Sequence, residues 1–263
     1  MNVKPKKWLG QHFLRTESFS QRIAALIPLP KGPTVLLEVG PGTAALTKHL
    51  PTAGFSKVLL VEIDRESIAF LQADYAAPPY EIVPLDFLKL NLADLTTETM
   101  YVAGNFPYNI STQILFKVLE HRDQVPFCIG MLQKEVGRRI SNGPGTKEYG
   151  ILSVLLQLWY DVKYEFLVPP GAFVPPPKVD SCVVSCTRNE RMAINIPEKY
   201  FTSLVKEAFN QRRKTLRNAV KSFTPAGTDH PMLDKRAEQL GIEDFLLLAE
   251  FLYKANTKPI VLQ

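Results

Sequence analysis

The sequence predicts an α/β fold, a mostly parallel sheet ending in an antiparallel hairpin and followed by a small all-helical C-terminal domain. Three observations carry this expectation. Up to about residue 187, short apolar runs alternate with amphipathic segments, the pattern of parallel strands joined by right-handed crossovers. Between the last two runs, residues 169–177 read Pro-Pro-Gly-Ala-Phe-Val-Pro-Pro-Pro, which leaves no room for a crossover helix. From about residue 197 onward only helical periodicity remains.

The elements follow in order. Residues 34–39 and 57–62 are of strand length and centred on consecutive apolar residues, Val35-Leu36-Leu37 and Val58-Leu59-Leu60-Val61, as expected of strands buried on both faces. A weak third strand lies at 82–84, and stronger ones at 100–104 and 127–132. Helical spacing marks the segments around 43–51, 65–76, 111–121, 133–140 and 148–159. Runs near 161–168 and 179–187 flank the proline-rich connection and form the edge hairpin. Beyond them, 197–209, 211–223, 232–240 and 242–254 read as helices, broken by Thr224-Pro225-Ala226-Gly227. The expected domains are residues 1–187, with 1–15 as a basic N-terminal segment, and residues 188–263.

Composition narrows the function classes. Hydrophobic residues make up 46% of 263, ordinary for a globular chain that buries a sizeable core. No run approaches the roughly 18 apolar residues of a membrane span, and the N-terminal lysines precede no apolar signal region. The three cysteines form no CxxC and accompany no paired histidines, so they read as buried strand thiols in a reducing cytoplasm, with no metal site. Net charge is +5, but it is unevenly spread. Lys4, Lys6, Lys7 and Arg15 stand without an acid in residues 2–15, and residues 188–223 carry nine Lys/Arg against three Glu. If 211–223 is one helix, Arg213, Arg217 and Lys221 share a face, and with Arg212 and Lys214 they form a patch suited to a phosphate backbone. For any single pair, a solvated helix face is the alternative.

Candidate ligand groups sit where the strands end. Glu38-Val39-Gly40-Pro41-Gly42-Thr43-Ala44-Ala45 joins the first strand to the next segment, and its glycines permit a tight turn and close approach to a ligand. Glu62 ends the second strand, where a carboxylate accepts from ribose hydroxyls. The loop alone fits NAD, FAD or S-adenosylmethionine. Two further acids favour the last: Glu38, which can orient the loop or meet a cationic ligand end, and Asp86, which can accept from an adenine amino group. A turn residue at Asp86 and a solvated strand end at Glu62 are the simpler readings of each alone.

Asn105-Phe106-Pro107-Tyr108 follows the fourth strand. The Asn105 side-chain oxygen and the Phe106 carbonyl can accept the two hydrogens of an exocyclic amino group, Pro107 fixes the backbone, and Tyr108 offers a flat face. This arrangement suits methylation of adenine N6, because two acceptors favour a pyramidal nitrogen whose lone pair is free to attack. The tetrapeptide alone fits a helix-start turn equally well. Phe173, on the proline-rich connection, is a candidate for the opposite face of the base or for core packing.

The chain resembles the KsgA (RsmA) family of ribosomal RNA adenine N6,N6-dimethyltransferases, related to the Erm methyltransferases. The resemblance rests on Gly10-Gln11-His12-Phe13-Leu14, Glu38 to Thr47, Asn105 to Thr112, Met131 to Val136, Phe173 to Ser181 and Glu207 to Thr215, and covers nearly the whole length. It implies a Rossmann-like class I S-adenosylmethionine-dependent methyltransferase domain. It also implies dimethylation of two adjacent adenosines in the 3′-terminal hairpin loop of small-subunit rRNA, during late assembly of the pre-30S particle. Cofactor contacts carried over fall on His12, Leu14, Gly40, Glu62, Asp86 and Asn105. His12 stands where the family often has Asn, Ala44 where many methyltransferases have Gly, and Phe106 where Leu or Pro is commoner. Nothing in the sequence suggests more than a monomer. An Erm-like large-subunit enzyme, a DNA adenine methyltransferase and a mainly non-catalytic assembly factor are the rival readings.

Overall fold

A computed structural model describes residues 3–191 and 193–257. The expected domains therefore extend at their ends, and at Met192, to residues outside the described ones. The main sheet has seven strands in the order β4-β3-β2-β5-β6-β9-β7. These are β2 (Thr34–Val39), β3 (Lys57–Val61), β4 (Tyr80–Val83), β5 (Thr99–Asn105), β6 (Phe127–Gln133), β7 (Tyr160–Val168) and β9 (Ser181–Arg188). Strands β2 to β6 pair in parallel, whereas β9 runs antiparallel to both β6 and β7. The hairpin expected across the proline-rich connection is thus present, with β7 at the sheet edge. Every residue of β2 is buried, Thr34 and Glu38 included, as expected of a central parallel strand covered on both faces.

A pair the sequence did not reveal joins β1 (Phe13–Leu14) to β8 (Phe173–Val174), with Leu14 opposite Phe173. Two-residue strands carry no periodic signal. This pair ties the N-terminal segment to the proline-rich connection, and Leu14 and Phe173 both enter the core beside Leu36, Leu60, Ile129 and Met131. Each such side chain contributes about 1.5–3 kcal/mol by leaving water.

Helices α1 (Glu17–Ala25), α2 (Arg65–Asp74), α3 (Leu92–Leu95) and α4 (Ser111–Glu120) lie between these strands, followed by α5 (Lys134–Ser141) and α6 (Ile151–Trp159). The helix expected over 43–51 is instead a series of turns followed by a 3-10 turn at Thr47–His49. Ala44 is held at φ 59, in the left-handed region, which interrupts a helical ladder. Past β9 come α7 (Glu198–Asn210), α8 (Leu216–Ala219) and α9 (Ile242–Thr257). The single helix expected over 211–223 is absent: the chain leaves α7 at Gln211, is extended at Thr215, and makes only α8 and a 3-10 turn at Lys221–Phe223. The helix expected over 232–240 is likewise two 3-10 turns, separated by extended Lys235 and Arg236.

The chain divides into two units, Met1–Gly137 with Tyr160–Arg188 and Arg138–Trp159 with Asn189–Gln263. The chain crosses between the units at 137/138, 159/160 and 188/189, the last beside the boundary expected at 187/188, and residues 138–159, expected with the sheet, fall in the helical unit. There Tyr149 packs edge-on to Phe209 of α7, and Phe209 contacts Phe245 of α9. α6 carries an almost wholly buried apolar surface, Leu152 to Trp159, so it needs partners on several sides and finds them in this unit.

Candidate active site

A cavity of 280 Å³ opens at the carboxyl ends of β2, β3, β4 and β5, where open α/β sheets place ligands. Its wall includes the glycine loop after β2, with Gly40 at φ 67 and Gly42 at φ 56. A Cβ on Gly42 would stand 2.8 Å from the Phe13 ring, so glycine lets the loop close on that ring. At Gly40 a Cβ would make ordinary contact with Pro107 at 3.8 Å, and the left-handed φ is what favours glycine. Glu62 fastens this loop: one carboxylate oxygen accepts from the Gly42 N–H at 3.0 Å, and the other from the N–H groups of Ile63 and Asp64 at 2.8 and 2.9 Å. Burial pushes its carboxyl above the usual range. The oxygen that holds Gly42 keeps room for a hydroxyl donor.

Glu38 lies outside the cavity wall, 1% exposed, and accepts from the Thr47 hydroxyl at 2.7 Å. Of its two expected roles, orienting the loop is the one its buried position, away from the cavity lining, serves. Burial pushes its carboxyl up to about 8. Asp86 does line the cavity, with Oδ1 accepting from the Leu88 N–H at 3.0 Å and Oδ2 without a partner among the described residues. Beside the two acids, Ile63 and Leu85 line the cavity while 48% and 51% exposed. No sequence pattern marks this apolar pair, although each member adjoins an acidic strand end.

The Asn105 tetrapeptide forms the adjoining wall. The Asn105 Nδ2 donates to the His12 carbonyl at 2.8 Å, and Oδ1 has no partner among the described residues. The Phe106 ring is fully buried against Gly104 and Gly130; a Cβ on Gly130 would come within 2.1 Å of Phe106 Cε2. Its N–H donates to Met131 O at 3.0 Å, while its carbonyl, beside the cavity, has no partner among the described residues. The ring is thus an anchor that aims a main-chain oxygen. Tyr108 is half-buried, its hydroxyl hydrogen-bonded to Ser181 Oγ, and burial pushes that hydroxyl's pKa up.

His12, Leu14 and Phe173 make contacts of their own. His12 lines the cavity, but its Nδ1 donates to Pro175 O at 2.8 Å and its ring stacks on Tyr108 with centroids 5.3 Å apart. One face of Tyr108, expected to be open to a base, is therefore covered. Leu14 points its side chain into the core and does not line the cavity. Phe173 is 2% exposed in the same core, so of its two readings packing is the one realised.

The basic patch also changes character. Arg212 donates to the carbonyls of Lys147 and Tyr149 at 2.7 and 3.2 Å and pairs with Glu238 at 3.3 Å. Arg217 is held by Asp229 at 2.8 Å and Asp234 at 2.9 Å, and these pairs raise its pKa. Because 211–223 is not one helix, Arg213, Arg217 and Lys221 do not form a helical stripe. Arg213, Lys214 and Lys221 stay exposed, with no side-chain partner among the described residues.

A family model described as ribosomal RNA adenine dimethylase matches residues 2–254. The chain belongs to this family. As a ribosomal RNA adenine dimethylase it is an S-adenosylmethionine-dependent methyltransferase. It is 51% identical to a Ribosomal RNA small subunit methyltransferase A of Parabacteroides distasonis, over 94% of this chain and 93% of the relative. Identity to the protein of that name from Cytophaga hutchinsonii is 46%, over 95% and 98%. Among solved structures, a dimethyladenosine transferase from Plasmodium falciparum superposes with a TM-score of 0.75 at 25% identity, covering 93% of this chain and 98% of that one. The 23S rRNA methyltransferase ErmE shares the fold, with a TM-score of 0.69 at 24% identity over 92% and 99%.

Proposed function

We propose that this dimethylase modifies N6 of two adjacent adenosines in the 3′-terminal hairpin loop of small-subunit (16S) rRNA, giving N6,N6-dimethyladenosine on the pre-30S particle. The single observation that carries the chemistry is the pairing of Asn105 Nδ2 with His12 O, with Oδ1 and the Phe106 carbonyl both without partners among the described residues. The small-subunit target is supported by relatives of that name at 46–51% identity across nearly the full chain. Three buried free thiols and an rRNA substrate support action in the cytoplasm, and we take the working unit to be a monomer.

The cavity suits the cofactor. Glu62 has a single donor on the oxygen that holds Gly42 and can accept a second, and Asp86 has no donor on Oδ2 among the described residues. Ile63 and Leu85 offer apolar surface, and the left-handed glycines bring main chain close. Bound there, S-adenosylmethionine supplies an electrophilic methyl group. Asn105 Oδ1 and Phe106 O accept the two N6 hydrogens and draw the nitrogen toward a pyramidal geometry. The base stacks on the Tyr108 face that His12 leaves uncovered, which offsets the few kcal/mol spent in taking it from its stack. After the first transfer one N–H remains, so a single acceptor holds it for the second. The product is acidic enough to lose its proton to water.

Nucleoside mass spectrometry after incubation with S-adenosylmethionine tests the assignment. Small-subunit particles or their hairpin should yield N6,N6-dimethyladenosine. Product confined to a large-subunit fragment would make the enzyme Erm-like, and no product from either would leave an assembly factor.

A further inference from the structure

We infer that Trp8 closes the outer side of the cofactor cavity and stacks on the adenine ring of S-adenosylmethionine. This rests on the cofactor occupying that cavity. Trp8 is 73% exposed, yet it lines the cavity and sits on a 3-10 turn, Lys7–Leu9, that is held in place rather than loose. Lys6 pairs with Asp64, which is buried and caps α2, and with Glu66 at 3.3 Å. The Lys4 N–H donates to Glu66 at 3.2 Å, and the Lys6 N–H to Gln11 Oε1 at 2.9 Å. Downstream, Gly10 at φ 64 lies so close to Asn109 that a Cβ would stand 2.6 Å from Oδ1.

Those anchors fix where the indole is. Asp64 lies two residues past Glu62, so residues 4–8 run along the end of β3, on the side of the cavity where Ile63 is exposed. Trp8, Ile63 and Leu85 are three large apolar side chains, each about half exposed or more, converging on one opening. A folded chain gains nothing by holding them there without an apolar occupant. The acids beside them, Glu62 and Asp86, suit a ribose and an amino group, so the flat ring joining those two is the occupant that fits. A base stacked on an aromatic ring loses about fivefold to a hundredfold in affinity when the ring is removed.

The full chain holds two tryptophans, and the other, Trp159, is 4% exposed. Indole emission and calorimetry with S-adenosylhomocysteine therefore read Trp8 against a buried reference. Emission of the wild type should fall on saturation, and the change should vanish in Trp8→Phe. Trp8→Ala should bind the probe about fivefold to a hundredfold more weakly, Trp8→Phe by less, and both should melt without ligand at the wild-type temperature. Asp86→Asn runs in parallel as a cavity control. If Asp86→Asn weakens binding and Trp8→Ala stays within twofold of wild type, the inference is wrong. If neither weakens binding, the cavity assignment itself has failed. Quenching by an adenosine-containing RNA oligonucleotide but not by S-adenosylhomocysteine would assign the indole to the RNA and overturn the inference.

Discussion

The cavity at the strand ends and the basic segment 211–223 are built on opposite principles. In the cavity, hydrogen bonds fix part of each polar group and leave the rest free: Glu62, Asp86, Asn105 and the Phe106 carbonyl each keep an acceptor. In the basic segment, Arg212 and Arg217 spend their donors on carbonyls and carboxylates of their own unit, and only Arg213, Lys214 and Lys221 remain outward. A sheet positions strand-end groups by its ladder, so function can be assigned by place. Charges on a short-turn segment choose partners by proximity, and their number overstates what is available to RNA.

The largest expected effect belongs to the cavity. Asn105→Ala removes an acceptor of the reacting amino group and should lower turnover on the order of a hundredfold or more, measured by methyl incorporation. Next is Gly130→Ala, whose Cβ would strike the Phe106 ring. It should cost about 1–3 kcal/mol in urea unfolding and cut turnover by more than the folded fraction explains. An active, fully stable variant would show that the anchored ring does not aim the carbonyl.

The basic segment should respond differently along its length. Replacing Arg213 and Lys214 by Glu should lower the salt slope of RNA binding by roughly 1.4–1.8, whereas Arg217→Ala should leave the slope unchanged. Equal slopes for both variants would erase the distinction between paired and outward charges.

A smaller effect should appear in stability against pH. From pH 4.5 upward the unfolded chain releases the Glu38 proton, while the folded chain holds it to about 8, so the fold weakens across that window as pH rises. Glu38→Gln keeps an acceptor for Thr47 and removes this loss. Its unfolding free energy, measured in urea, should rise relative to wild type from pH 5 to pH 8, by on the order of a few kcal/mol at most. A pH-independent difference would count against a buried, protonated Glu38. Smallest is Tyr108→Phe, which loses the Ser181 hydrogen bond but keeps the ring; turnover should fall less than threefold, and Tyr108→Ala should fall further.

What the sequence made legible follows the same division. Strands β2, β3, β5 and β6 announce themselves because two-sided burial demands unbroken apolar runs, and Glu62, Asp86 and Asn105 could be read as strand ends without knowing any contact. The Ala44 turn was missed because its left-handed φ is set by the loop's surroundings and not by Ala itself. Residues 138–159 carry the same helical spacing whichever unit they join, so periodicity could not reveal their partners. The single helix expected over 211–223 does not form because Thr215 is extended while the Leu216 N–H bonds Lys235 O, a contact 19 residues away that no local pattern encodes. His12 on Tyr108, and Leu14 and Phe173 in the core, depend on the two-residue β1–β8 pair, which is too short to see.

One paired measurement goes to the centre of this account: turnover of Asn105→Ala and of Arg217→Ala at saturating S-adenosylmethionine and saturating small-subunit RNA, in a single methyl-incorporation assay. The expected result is a loss of about a hundredfold or more for Asn105→Ala and less than about threefold for Arg217→Ala. Asn105→Ala retaining more than about a tenth of wild-type turnover, or the two variants losing alike, would contradict it.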